Sequence, residues 1–165
     1  MQEIGGTDMT TTDEQFMRIA IAEAAGAGEL DEVPIGACLV DAAGAVIAKA
    51  GNRTITNTDP TAHAEILALR EAAQIIGNYR LAGATMYSTI EPCAMCAGAL
   101  VNARVARLVF GAHDVRYGGA GSIFDICSNP KLNHRVETVP DVLKDECLSL
   151  LQGFFRERRS QNRER

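Results

Sequence analysis

Tryptophan is absent from the 165-residue chain, and aromatic residues make up only 5% of it. A core must therefore be built from Ala, Leu, Ile, Val and a few Phe, and the many alanines favour helices that approach one another closely. No stretch comes near the run of about 20 apolar residues that a membrane span needs, so no membrane partner is expected. Met1 to Asp13 lacks both basic residues and an apolar segment, unlike a secretory signal or an Arg-rich transit peptide, and the reading is cytoplasmic. The Gly-Gly and Thr-Thr-Thr composition of residues 1–12 reads as a disordered leader, with one domain over 13–165. An even set of cysteines is lacking as well. Cys38, Cys93, Cys96, Cys127 and Cys147 in a chain without a secretory signal argue against a disulfide framework and for metal binding or burial. Cys38 and Cys147 read as core residues, and Cys127 receives no assignment.

Apolar residues form 47% of the chain and charged ones 22%, which suits one globular domain around one core. The net charge of −5 does not mark a nucleic-acid binder. Its distribution says more: Arg156, Arg158, Arg159, Arg163 and Arg165 crowd the C-terminus, while residues 1–14 carry four acids and no base. Such a basic end offers phosphates a local patch. The plainer alternative is a solvated helix terminus whose arginines suit the negative end of the dipole.

Periodicity predicts a helix from about Asp13, opened by a Thr12/Gln15 capping box and stopped by Gly26 and Gly28. Two short apolar runs, Ile35–Val40 and Ala45–Ala50, flank Asp41-Ala42-Ala43-Gly44 and predict a hairpin. A second helix is expected from Pro60 with Asp59 as its cap, ending at Gly77-Asn78. A strand over Ala84–Ile90, a helix from Pro92 to about Asn102 and a strand over Arg107–Phe110 follow. Gly111–Ser122 reads as an irregular loop, Arg135–Val139 as a possible strand and Val142–Arg158 as a last amphipathic helix. Alternation of this kind places helices on both faces of a sheet, an α/β class.

The chemistry concentrates in His63-Ala64-Glu65 and Pro92-Cys93-Ala94-Met95-Cys96. Cysteines at i and i+3 share a helix face and can grip one ion. A helix N-terminus favours their thiolates. His63 adds a nitrogen ligand, and three ligands leave zinc an open position for water. His113 or His134 could instead close the shell as a fourth ligand and make the site structural. Glu65 is what a closed site would not need: zinc lowers the pKa of bound water, and a carboxylate beside that water can move its proton. Positions 63 and 65 do not share a face of an ideal helix, so spacing alone does not bring them together. A His-x-Glu followed by Pro-Cys-x-x-Cys is the signature of zinc nucleobase deaminases.

With these segments and with Val33-Pro34-Ile35-Gly36-Ala37, Asn52-Arg53, Asp59–Ile66, Asn78-Tyr79-Arg80-Leu81, Glu91–Ala99, Gly119-Ala120-Gly121-Ser122, Asn133-His134-Arg135-Val136 and Phe154-Phe155-Arg156, the chain resembles the bacterial tRNA-specific adenosine deaminases from about Phe16 to Arg159. The resemblance implies a cytidine-deaminase-like three-layer α/β/α sandwich with a five-stranded mixed sheet. It implies one Zn2+ per chain on His63, Cys93 and Cys96, with Glu65 as proton shuttle and hydrolysis of the wobble adenosine of tRNA to inosine. It further implies a homodimer and an anticodon-loop partner, with Asn52, Ala64 and Asp114 near the substrate and Phe154, Arg156 and Arg158 on an RNA-facing helix. Gly26–Asp31 and Val115-Arg116-Tyr117 depart from the family pattern. Two other readings stand beside it: a zinc deaminase of a free base or nucleoside such as guanine or cytosine, and a zinc-stabilised binding module without catalysis.

Overall fold

The computed structural model describes residues 9–165, with side chains from Thr12 onward. In chain order the elements are α1 (Met9–Glu29), β1 (Gly36–Val40), β2 (Val46–Gly51), α2 (Ala64–Ile76), β3 (Thr85–Ile90), α3 (Ala94–Asn102), β4 (Arg107–Ala112), β5 (Glu137–Val139) and α4 (Lys144–Arg163). The strands form one five-stranded sheet in the order β2-β1-β3-β4-β5. β1 runs antiparallel to both neighbours, whereas β3, β4 and β5 are parallel. The expected mixed sheet and element order are therefore present.

Period-2 alternation sorts the central strands into two cores. Leu39, Met86, Leu108 and Phe110 face one side, where they meet Ala64, Ala68 and Ala72 of α2 and Ala97, Leu100 and Val101 of α3. Cys38, Val40, Tyr87 and Val109 face the other, against Met17 and Ala20 of α1 and Cys147 of α4. Both faces are covered, so β3 is buried almost throughout instead of alternating with solvent. The alanines allow the close approach expected of them. At Gly36 even a Cβ would overlap the Ala20 carbonyl oxygen, so α1 lies directly on the β1 backbone. Cys38, Cys127 and Cys147 are all buried, which settles Cys127 as a third core thiol.

Helix boundaries differ from the sequence expectation in several places. α3 starts at Ala94, two residues after Pro92, and α4 runs from Lys144 on to Arg163, past Arg158. α1 and α2 depart at three ends. α1 starts at Met9, inside the segment 1–12 read as a leader; residues 1–8 lie outside the described residues. Asp13 is not at a helix start but in its second turn. It is buried, accepts from the Tyr87 hydroxyl at 2.8 Å and pairs with Arg107 at 2.6 Å, which fastens the start of α1 to β3 and β4. Gly26 and Gly28 do not stop α1, because Ala24 and Ala27 bury its face as far as Glu29. Glycine costs a helix about 1 kcal/mol, and burial of the same face offsets it. α2 begins at Ala64, not near Pro60: the Asp59 carboxylate accepts from the amide and hydroxyl of Thr61 and caps a separate turn.

Candidate active site

That later start decides where His63 points. His63 is the N-cap of α2 with extended backbone, φ −73° and ψ 151°, and is not inside the helix. Cys93 holds the matching place on α3, with φ −68° and ψ 174°. Two helix N-termini thus converge, and the spacing difficulty between positions 63 and 65 disappears. His63 Nδ1 lies 3.6 Å from Cys93 Sγ and 3.5 Å from Cys96 Sγ. These ligand atoms all fall within 4.8 Å of one another, as one nitrogen and two sulfurs around a single ion require. The donor set fits zinc. Neither other histidine joins it. His113 Nδ1 faces Glu91 at 3.3 Å, and His134 Nε2 meets the Val105 carbonyl at 2.7 Å. Among the described residues the cluster has three members, which corrects the four-ligand alternative.

The two thiols differ sharply. Hydrogen bonding from Cys96, with help from His63, holds the Cys93 thiol down to about 4. The same pairing with the Cys93 thiolate, together with burial, pushes Cys96 up. Burial, helped by nearby carboxylates, raises Cys38 to about 11 and Cys127 and Cys147 to about 12. In metal-free protein, iodoacetamide is therefore expected to alkylate Cys93 first. Its rate should fall off less on acidification than that of an ordinary thiol. Peptide mapping checks the site, and saturating zinc should suppress the reaction.

Glu65 stands on the first turn of α2, 2% exposed. Its Oε2 lies 3.5 Å from Cys96 Sγ, and its Oε1 accepts from the Ser88 hydroxyl at 2.9 Å. Burial pushes its carboxyl above the ordinary carboxylate range, which makes it a better base. Asn52 turns its Oδ1 to the Ala64 amide at 3.0 Å. Its own amide group is left as the donor on the cavity wall. Ala64 contributes its backbone N–H to this brace, and its methyl to the core.

These groups open onto a cavity of about 620 Å3 at the carboxyl ends of the parallel strands β3 and β4, the usual place for a ligand in such sheets. His63, Glu65, Asn52 and Cys93 form its floor, and Val33, Ile35, Leu151 and Phe155 give it apolar walls. Asp114, Val115, Arg116 and Tyr117 stand at its edge. Asp114 itself turns Oδ1 back to the amides of Arg116 and Tyr117, at 3.0 and 3.2 Å.

A second, shallower groove of about 980 Å3 continues from this cavity, sharing Val115, Arg116, Leu151 and Phe155 with it. Arg116, Arg156, Arg158 and Arg159 line it. The aromatic pair on α4 divides: Phe155 lines the cavity, while Phe154 lies under the Arg158 guanidinium at 4.7 Å. Arg158 also donates to the Asp31 carbonyl at 2.7 Å and so ties α4 to the turn after α1. Sequence reasoning missed Ser88, Phe155 and Arg116 as site residues. Only tertiary structure brings Ser88 under Glu65 or joins the Arg116 loop to the α4 arginines.

Residues 10–112 match the family model of the cytidine and deoxycytidylate deaminase zinc-binding region. The chain is 48% identical to the tRNA-specific adenosine deaminase of Haemophilus influenzae, over 92% of this chain and 87% of that protein. A structure solved in studies of A-to-I editing by tRNA:A34 deaminases at the wobble position of transfer RNA superposes with a TM-score of 0.80 at 45% identity. That match covers 83% of this chain and 99% of the other. The guanine deaminase of Bacillus subtilis superposes with a TM-score of 0.60 at 31% identity, covering 87% and 93% of the two chains. With the shared zinc-binding region and identity near one half along almost all of the chain, this protein belongs to the cytidine and deoxycytidylate deaminase family, on its tRNA-specific adenosine deaminase branch.

Proposed function

We propose that this protein hydrolyses the 6-amino group of the wobble adenosine in a tRNA anticodon loop, giving inosine and ammonia. The observation that carries the reading is the joining of two features: the His63/Cys93/Cys96 set with Glu65 beside it, and a cavity that runs directly into an arginine-lined groove. A free base would need only the cavity and leave the groove unused.

His63, Cys93 and Cys96 would hold one zinc per chain. When bound, it makes the hydrolytic water acidic enough to act near neutral pH. The remaining work falls to the protein. Asn52 donates its amide to a ring nitrogen and sets the base plane. Glu65 takes one proton from the water as oxygen attacks C6 and hands it to the neighbouring ring nitrogen, then takes the second proton from the new C6 hydroxyl and passes it to the departing amine. The C6–N bond breaks, ammonia leaves and the C6 oxygen becomes the carbonyl of inosine. Val33, Ile35 and Phe155 keep bulk water off the reacting carbon.

Asp114, with Phe154 supporting Arg158, shapes the path by which the loop enters. Arg116, Arg156, Arg158 and Arg159 meet phosphates along the groove. Replacing Arg116, Arg156 and Arg159 together by Ala is expected to weaken stem-loop binding and flatten its dependence on salt. The slope of log K against log salt should fall by about 2, at about 0.7 per lost contact with single-stranded RNA. Arg158 is kept in that variant because it also holds α4 in place. Fluorescence anisotropy across a salt series reads the result, and an unchanged slope would reduce the arginines to a solvated helix end.

The function itself is tested with an anticodon stem-loop carrying adenosine at the wobble position, beside free adenosine, guanine and cytosine. Inosine from the stem-loop, with little turnover of the small substrates, supports the reading. A loop base is already partly unstacked, and contacts remote from C6 help to orient it. Preferred turnover of guanine or cytosine would replace the reading with the small-substrate alternative.

A cytoplasmic location is part of the same proposal and rests on the tRNA substrate. No helix among the described residues is long and apolar enough to cross a membrane. A homodimer belongs to the same proposal, with exposed Met95, Ile123 and Phe124 as apolar surface to bury. Light scattering at micromolar concentration decides it.

A further inference from the structure

Glu91 is fully buried at the end of β3, two residues before Cys93, and the chemistry above does not use it. Its carboxylate instead gathers the irregular segment that follows β4. Oε1 accepts from the Asp114 amide at 3.2 Å, and Oε2 accepts from the amides of Ala120 and Ser122 at 3.0 and 3.1 Å. The Ser122 hydroxyl donates to Oε1, and His113 Nδ1 lies 3.3 Å from the same oxygen. Both carboxylate oxygens are thus occupied by donors from this one segment.

The backbone closes the same joint from a second direction. Gly119 donates to the Pro92 carbonyl at 2.7 Å, and Gly118 bridges to Cys93. A Cβ at Gly118 would overlap the Glu91 carboxylate, and one at Gly119 would stand 3.0 Å from the Cys93 and Ala94 backbone. Between the two fastened ends, Asp114 and 118–122, lie Val115, Arg116 and Tyr117. Val115 is 75% exposed and Tyr117 67%, so burial of their side chains does not hold this stretch in place. The same three residues form the edge of the cavity, and Arg116 also lines the groove.

We infer that Glu91 is a positioning residue for substrate recognition, fixing the Asp114–Tyr117 edge relative to the segment that carries Cys93. Arg116 then meets the RNA at a set distance from the reacting carbon. The inference rests on the proposed RNA substrate and names how this site grips it. Glu91 acts through the loop and touches no reacting atom, so its removal acts on KM far more than on kcat.

Glu91→Gln tests this. The side chain keeps its size, but an amide NH2 replaces one acceptor and faces N–H donors it cannot satisfy. KM for the wobble-adenosine stem-loop is expected to rise at least 10-fold, with a parallel rise in Kd by anisotropy. kcat at saturation should stay within about 3-fold and zinc content should match the parent protein. A role confined to stability would instead lower the melting temperature and zinc content and leave the KM of the remaining active molecules unchanged. In the Glu91→Gln background, Arg116→Ala should lose most of its own effect on KM, since groups that act through one another do not add.

Ser122→Ala removes one donor from the edge of the joint and is the milder variant should Glu91→Gln not fold. A KM rise of a few fold with unchanged kcat is expected of it. Unchanged KM in every folded variant, fully additive effects with Arg116→Ala, or a fall in kcat at constant KM overturns the inference. Failure of the parent protein to deaminate the stem-loop in the same assay would overturn the substrate reading instead.

Discussion

Glu65→Gln is expected to lower kcat on the stem-loop by about 10³–10⁴-fold, toward the upper end of what removal of one general acid–base costs. The effect is large because the same carboxyl moves protons in successive steps, from the attacking water and then to the base and the leaving amine. The substitution is chosen for its shape. Glu65 is buried, and truncation to Ala would open a hole beside Cys96 and confuse lost chemistry with lost structure. Gln fills the same volume, and its carbonyl still accepts from the Ser88 hydroxyl, which sits 2.9 Å from Oε1. What disappears is the ability to take a proton. Zinc content, melting temperature and stem-loop Kd should therefore stay near those of the parent protein while turnover collapses. Single-turnover measurement at saturating enzyme separates the chemical step from binding. Turnover within a few fold of the parent would remove Glu65 from the mechanism and leave the buried carboxyl without a role.

How much of this site could be read from the sequence follows from how local each signal is. His63, Glu65, Cys93 and Cys96 sit in two short motifs, so their residue types could be read locally, but only the structure, with His63 at the N-cap of α2 and Glu65 in its first turn, shows how positions 63 and 65 reach one site. The strands were legible for the same reason: the short apolar runs Ile35–Val40 and Ala45–Ala50 on either side of Asp41-Ala42-Ala43-Gly44 are a property of a few neighbours. Helix starts were less legible. Asp59-Pro60 has every local mark of a cap, yet Asp59 spends its oxygen on Thr61, and α2 waits until Ala64. Gly26 and Gly28 have the marks of a stop, yet α1 runs on because its buried face continues. In each case a contact distant in sequence or a competing local hydrogen bond outweighed propensity. The edge of the cavity was the least legible part. Phe155 and Phe154 are adjacent on one helix, and only the placement of α4 turns Phe155 inward and sets Phe154 under Arg158. Val115-Arg116-Tyr117 stood out as a departure from family pattern, but its position beside α4 depends on a joint made by Glu91 more than twenty residues earlier.

Removing a metal ligand is expected to have the other largest effect, and it reaches stability as well as turnover. Cys96 is the ligand to change because it is wholly buried, so water cannot easily take its place. In Cys96→Ala the zinc content should fall from one per chain to below a tenth after dialysis, with no detectable deamination. Stability should fall with it. A ligand that binds only the folded state contributes about 4 kcal/mol when its free concentration is a thousand-fold above Kd. For a chain of this size, that is about 8–16 °C in Tm. The sheet and its two cores do not depend on the ion, so the far-ultraviolet circular dichroism of the variant should remain that of an α/β fold. The loss should instead concentrate where two helix N-termini converge: without the cation, His63 and Cys93 bring N-terminal dipole ends together with nothing between them. The parent protein stripped by a chelator should melt alongside the untreated variant. Adding zinc back should restore the stripped parent and leave the variant where it was. A variant that keeps one zinc per chain, or that melts with the untreated parent, would show that the ion sits elsewhere and that the three side chains are a buried polar cluster without a metal.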